Sequence, residues 1–324
     1  MLSGLQATLA SEPALLIGVA AVFGALIGSF LNVVIYRLPV MMERAWEDDI
    51  AAARADASAE RDEPPAERER FNLLTPRSRC GHCGHAIGAL ENIPVVSWLV
   101  LRGKCSACGG AISARYPLVE LGTALLFAAC AWKFGATAQT LAAMALCATL
   151  VALTGIDIDT QLLPDQLTLP LLWLGLLLNA GALFTPLRDA VIGAACGYLA
   201  LWSIYWLFKL ATGREGMGYG DFKLLAALGA WFGWLALPVL LLLSSVVGAV
   251  LGIATLLIQR KGRQTALAFG PYLALAGVIG GAALTTEPSM AAQLGTIVFV
   301  VVVIGGLGNL QGTVAAAVLL LPVL

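Results

Sequence analysis

Long apolar runs broken by short polar connections set the pattern of this chain. Runs lie at about residues 14–36, 117–134, 137–156, 166–184, 189–208, 222–234, 236–258 and 265–284, with a further one at about 292–324. A helix needs about 20 apolar residues to cross a hydrocarbon core roughly 30 Å thick. The pattern therefore predicts an all-α polytopic membrane protein with about eight transmembrane helices, and the tail leaves room for a ninth. The 222–234 run is short for a span and is expected to start inside the protein or the interface. No basic residue precedes the 14–36 run, and Arg37 follows it, so the run reads as a retained span, not a secretory signal.

Composition agrees with the pattern. The chain is 59% hydrophobic and 12% charged, against about 25% charged in soluble domains. A net charge of -1 gives no global case for nucleic acid, and the apolar runs make membrane lipid the expected partner. The placement of the basic residues says more. Eleven of them, from Arg37 to Arg115, fall between the first two runs. Threading the spans alternately adds Lys209, Arg214, Lys223, Arg260, Lys261 and Arg263 to the same side and leaves Lys133 and Arg188 opposite. By the positive-inside bias, the large first loop and the 157–165 and 209–221 connections face the cytoplasm.

That loop has two parts. From Glu43 to Arg70 it is charged and Ala-rich, the character of a solvated helix or a disordered insertion. From Phe71 to Arg115 it is basic and carries two C-x2-C knuckles, Cys80/Cys83 and Cys105/Cys108, separated by 21 residues and each followed by a glycine, Gly84 or Gly109. Four soft sulfurs at this spacing match a tetrahedral structural zinc site. Two disulfides or a redox pair are the alternatives, and a cytoplasmic location disfavours stable disulfides. A closed four-sulfur shell leaves no position for water, so such a zinc would fold the loop. His82 and His85 read as surface residues, and Cys130, Cys147 and Cys196 as buried packing residues inside apolar runs.

Carboxylates at the ends of apolar runs are costly and mark candidate chemistry. "TGIDIDTQLLPDQLTLP" carries Asp157, Asp159 and Asp165, and "GMGYGD" carries Asp221. Two carboxylates brought together can share one proton, one acting as base on water and the other as acid toward a peptide carbonyl. Each also has an ordinary reading. Asp165 fits a helix cap as well as a chemical role; Asp159 fits a solvated loop acid; Asp157 fits the mere end of a span. Asp221 fits a topological anchor paired with Lys223 or Lys209. The glycines at 216, 218 and 220 leave room for an extended peptide beside these acids. Glu91 and Asn92 fit either leader positioning or a turn.

The segments "GSFLNVVIYRLP" (28–39), "NIPVVSWLVLRGKC" (92–105), "RYPLVELGTALLF" (115–127), "IDIDTQLLPDQLTLPLLWLGLLLN" (156–179), "GMGYGDFKLLAALGAWFGW" (216–234) and "FGPYLALAG" (269–277) occur in this order. Together with the tetracysteine loop they resemble the type IV prepilin leader peptidases, membrane aspartic peptidases of the GxGD type, over about residues 12–280. The resemblance implies a catalytic pair, Asp157 and Asp221. It implies cleavage of type IV prepilins and type II secretion pseudopilins at the cytoplasmic face of the bacterial inner membrane, after a short basic leader. It also implies N-methylation of the new terminus with S-adenosylmethionine as donor, and it ties Gly103, in "RGKC", to methyl transfer. No nucleotide-binding fingerprint supports methylation independently.

The implied organisation is a first span (1–37), a cytoplasmic loop (38–115) with its zinc module (71–115), a peptidase core (116–284) and an atypical apolar tail (285–324). Within that tail, "TIVFVVVIGGLGNLQGTVAAAVLL" (296–320) resembles part of branched-chain amino-acid ABC permeases. A permease with a zinc loop and a zinc-folded scaffold for pilus assembly are therefore the competing functions.

Overall fold

The computed structural model describes residues 11–57, 70–213, 217–259 and 270–284. The expected tail, Arg214, Gly216 and the basic cluster Arg260, Lys261 and Arg263 lie outside these residues. The described elements are helical throughout: α1 (Pro13–Ala57), α2 (Val96–Val100), α3 (Arg115–Phe134), α4 (Ala138–Thr160), α5 (Asp165–Ala180), α6 (Leu187–Thr212), α7 (Tyr219–Phe232), α8 (Leu237–Gln259) and α9 (Gly270–Leu284). Each of the eight expected runs from 14 to 284 coincides with a helix. Four of these helices, α1, α3, α4 and α6, are long and apolar enough to cross a membrane. The chain divides into two compact units, Met1–Ala152 and Leu153–Leu324, with the boundary inside α4.

In the first unit α1 extends well beyond its apolar run. It continues through Arg37 and the charged stretch to Ala57, 45 residues in all, or about 67 Å at 1.5 Å per residue. The helical reading of the early loop thus holds as far as Ala57. α1 packs against α3 through the small-residue motif Gly24-x3-Gly28. A Cβ on Gly24 would lie 2.8 Å from the Ala124 Cα, and one on Gly28 would lie 2.7 Å from the Glu120 Cα. Bare glycine surfaces let two backbones meet where there is no hydrophobic drive between helices in lipid. Phe23 and Phe127 flank the seam with ring centroids 5.9 Å apart, and Asn32 donates to the Tyr116 carbonyl at 3.1 Å. Cys130 and Cys147 are buried as expected, their sulfurs 3.9 Å apart.

The second unit is organised around α7. This 14-residue helix is too short to span, and the structure supplies the reason that its sequence can be so apolar. Its residues from Phe222 to Trp231 are buried among neighbouring helices, apart from the half-buried Lys223. The backbones of Gly193 on α6 and Gly229 on α7 touch, leaving no room for a Cβ on either. Asn179 closes the far end of α7. Its amide donates to the Ala230 and Trp231 carbonyls at 2.8 and 3.0 Å, and its oxygen accepts from the Phe184 and Thr185 N–H groups. Every polar atom of that buried side chain is therefore used. Cys196 departs from expectation: it is exposed, because it lies on the outer face of α6.

Candidate functional site

Asp157 and Asp221 both lie in the second unit, and neither sits in a connection as the apolar pattern suggested. α4 runs on past the end of its apolar stretch to Thr160, which puts Asp157 and Asp159 in its last turn. Asp221 lies in the first turn of α7, not before it. Both carboxylates are buried, 4% and 7% exposed, and Asp221 lies within electrostatic reach of Asp157.

The two positions differ in what the backbone offers. Asp221 is the third residue of α7, where an acid can reach back to the N–H of the N-cap residue, here Gly218. Asp157 has the reverse setting, since an acid in the last turn opposes the helix dipole. Its Oδ2 is buried and, among the described residues, accepts no hydrogen bond. The first residue of α9, Gly270, approaches the same oxygen so closely that a Cβ there would lie 2.6 Å from it. Its N–H is near enough to act on the carboxylate, without hydrogen-bond geometry. The Gly270 backbone thus crowds a carboxylate that helix stability alone does not explain.

Asp159, two residues beyond Asp157, is exposed; side chains two apart on a helix do not share a face. Asp165 is not a cap: Pro164 is the N-cap and no side chain caps α5. Its two oxygens instead bind Lys223 Nζ, each at 2.7 Å. Lys209 lies 3.3 Å from the Tyr205 hydroxyl and over the rings of Tyr205 and Trp206. The two lysines that would have made Asp221 a topological anchor are thus engaged elsewhere. Gly218 has open space around it, as an extended substrate would require. Gly220 does not, because a Cβ would lie 2.6 Å from the Leu163 Cβ. That glycine serves close packing.

The four cysteines of the first unit come together. The sulfurs of Cys80, Cys83, Cys105 and Cys108 all lie within 4.8 Å of one another. Cys80 and Cys108 are 3.9 Å apart, close to the roughly 3.8 Å edge of a tetrahedron with 2.3 Å metal–sulfur bonds. The set can hold a metal ion. Backbone N–H groups of Cys83, then His82, pull the Cys80 thiol down to about 6. At Cys108 the Gly110 N–H acts in the same direction, but the Cys83 sulfur, burial and the other two sulfurs push it up to about 11. Thiolates this close repel one another, and a bound cation would offset that repulsion.

The knuckles form an internal repeat. In each, the first cysteine's N–H bonds a carbonyl five residues on (Cys80 to His85, Cys105 to Gly110, both 2.8 Å), and the glycine after the second cysteine bonds back to the first. Paired bridges Arg79–Ala86 and Lys104–Ala111 close the two turns. Glu91 joins the halves. It accepts from the Gly88 N–H at 2.8 Å and the Ser106 hydroxyl, and it lies 3.3 Å from His85 Nε2. Within the Leu90–Asn92 turn, Glu91 thus acts as a clamp between the knuckles. Gly103 has φ +69°, and the Trp98 ring lies 3.0 Å from where its Cβ would be. Both facts require glycine. Arg37, counted from sequence only as a topological charge, is 7% exposed and donates to the Asn72 and Pro76 carbonyls at 2.9 and 2.6 Å, tying α1 to the module.

Comparison with known proteins places these two sites in one frame. Residues 22–134 match the Bacterial Peptidase A24 N-terminal domain, and residues 144–253 match the Type IV leader peptidase family. A protein of Pseudomonas putida named prepilin leader peptidase/N-methyltransferase is 56% identical over 271 residues, 84% of this chain and 92% of the relative. The chain belongs to the prepilin leader peptidase/N-methyltransferase family. Relatives of the same name from Aeromonas hydrophila (58% over 267 residues, 82% of this chain and 90% of the relative) and Pseudomonas aeruginosa (55% over 271 residues, 84% and 91%) agree. No solved structure matches the chain. The N-terminal match contains the metal module with Gly103; the leader peptidase match contains Asp157 and Asp221. Gly270 lies beyond both; it falls within the segment "FGPYLALAG", but a glycine there carries no chemical signal that would assign it a role.

Proposed function

We propose that this membrane protein cleaves the leader of type IV prepilins, and of type II secretion pseudopilins, at the cytoplasmic face of the bacterial inner membrane, and then N-methylates the new N-terminus. The enzyme is an aspartic endopeptidase that is also an N-methyltransferase. One observation carries the peptidase half: Asp157 and Asp221 are two buried acids near enough to influence each other electrostatically, and among the described residues no cation pairs with either.

In this reading one carboxylate takes a proton from water as its oxygen attacks the scissile carbonyl. The other, protonated, donates to the carbonyl oxygen. Collapse of the tetrahedral intermediate breaks the C–N bond, and the proton gathered from water passes to the leaving amine. Repulsion between two such carboxylates favours the singly protonated pair the cycle starts from. A basic leader is drawn to the acidic site, and the open backbone at Gly218 suits an extended strand, whose carbonyls, unlike those of a helix, are free to react.

The product amine is the methyl acceptor. Family membership supports S-adenosylmethionine as donor, which supplies an electrophilic methyl group. A cleft beside the first knuckle, lined by Arg77, Ser78, Ile87, Gly88, Ala89 and Asn92, has a volume of about 210 Å³. That is below the roughly 300–1,000 Å³ of ordinary ligand pockets, and it offers no acid for ribose hydroxyls. This cleft alone does not seat the donor. In our reading zinc occupies the four-cysteine cluster and folds residues 71–115, residues 116–284 form the peptidase core after a first span at 1–37, and Gly103 serves methyl transfer by keeping the second knuckle closed under Trp98.

The test is incubation of purified protein with a prepilin, with and without S-adenosylmethionine, and the mass of the pilin product. Leader removal in both reactions, and one added methyl only with the donor, are expected. Uncut prepilin in both would refute the reading, as would transport or assembly activity without cleavage.

A further inference from the structure

One edge of the metal module is apolar and uncovered. Leu90, Ile93, Val96, Leu99 and Val100 are 81%, 42%, 53%, 61% and 75% exposed. They belong to the turn at Leu90–Asn92, to Ile93 just after it and to α2, and the same short stretch is polar or packed on its other side. Trp98 turns inward, its Nε1 donating to the Ile112 carbonyl at 3.2 Å and its ring lying over Gly103, while the Ser97 hydroxyl bonds back to Ile93. The stretch is therefore amphipathic, with its apolar face outward.

The level of this edge is fixed by α3. The Val95 N–H donates to Glu120 Oε2 at 2.7 Å, and Glu120 is buried in the second turn of a helix long and apolar enough to cross a membrane. Five residues beyond Arg115, it lies about 7.5 Å into that helix. An amphipathic segment lying in a bilayer interface sinks its apolar face roughly 5–10 Å. Charge points the same way. Residues 71–115 hold five basic side chains, Arg77, Arg79, Arg102, Lys104 and Arg115, and one acid, Glu91. That acid is turned inward onto Gly88 and Ser106, while Arg102 and Lys104, immediately after α2, are exposed.

We propose that this edge is a lipid-binding surface. The outward side chains from Leu90 to Val100 are embedded at the boundary of headgroups and acyl chains, and Arg102 and Lys104 meet anionic headgroups. The metal module is then moored to the bilayer, not suspended in water. The inference is independent of the catalytic assignment.

The full chain, with its cysteines intact, is reconstituted in nanodiscs of phosphatidylcholine and phosphatidylglycerol. A genetically encoded fluorescent residue replaces Val100 or, as a water-exposed control on the second knuckle, Ala107. Unchanged metal content shows that both proteins are folded. Lipids brominated high on the acyl chain should quench the probe at 100 about five-fold more than at 107, with no prepilin present, and aqueous iodide should show the reverse order. Arg102→Gln/Lys104→Gln should reduce the bromolipid quenching at 100. Equal quenching at the two positions would overturn the proposal. So would shielding of position 100 only after a prepilin is added, which would assign the edge to the substrate's apolar helix.

Discussion

Lys223 binds both carboxylate oxygens of Asp165, each at 2.7 Å, and this pairing leaves Asp221, two residues before it in α7, without its neighbouring lysine. Side chains two apart on a helix do not face each other, so the lysine reaches α5 while the acid is buried apart from it. The pair is partly exposed, 29% and 51%. Lys223→Met should therefore cost about 0–1 kcal/mol of stability and leave most of the prepilin cleavage rate. A loss of activity equal to that of Asp221→Asn would mean that Lys223 serves the chemistry.

Gly270 presses on Asp157 Oδ2 without completing a hydrogen bond. Gly270→Ala places a methyl against that oxygen and should lower kcat for cleavage by at least about tenfold, equivalent to about 1.4 kcal/mol of barrier. Methylation of a pilin already cleaved should persist. Steady-state kinetics on the two half-reactions check this separately.

Glu91 holds the two knuckles together through Gly88 and Ser106. Outer-shell partners of a metal site typically contribute 10–100-fold to affinity. Glu91→Gln should accordingly weaken zinc retention about tenfold in a chelator competition, whereas Cys80→Ser should lose the metal and the protease resistance of residues 71–115. Unchanged metal content in Cys80→Ser would remove the zinc assignment.

Asn179 satisfies two carbonyls and two N–H groups at the end of α7. Asn179→Ala orphans all four in a buried place, each worth about 1–3 kcal/mol, and should cost at least about 3 kcal/mol. A lowered unfolding temperature in detergent would be the readout.

Much of this arrangement was legible in the chain. Apolar runs of span length place the helices, and the spacing of Cys80, Cys83, Cys105 and Cys108 points to one cluster, because both signals are local. The ends of helices were not legible. Hydropathy falls at Asp157 and at Glu43, but backbone hydrogen bonding carries α4 to Thr160 and α1 to Ala57. Roles set by distant partners were also hidden. Gly220 reads as room for a substrate, but Leu163 lies against it; Arg37 reads as a topological charge, but it holds two distant carbonyls. Glu91 offered one usable signal, as the single acid in a basic module.

The central claim is that Asp157 and Asp221 together cut the prepilin. Asp157→Asn and Asp221→Asn, each purified in detergent, should release no leader from a prepilin as read by the mass of the pilin N-terminus, while both still methylate a pilin cleaved beforehand, which shows that they are folded. Cleavage by either variant at the parent rate would contradict the account.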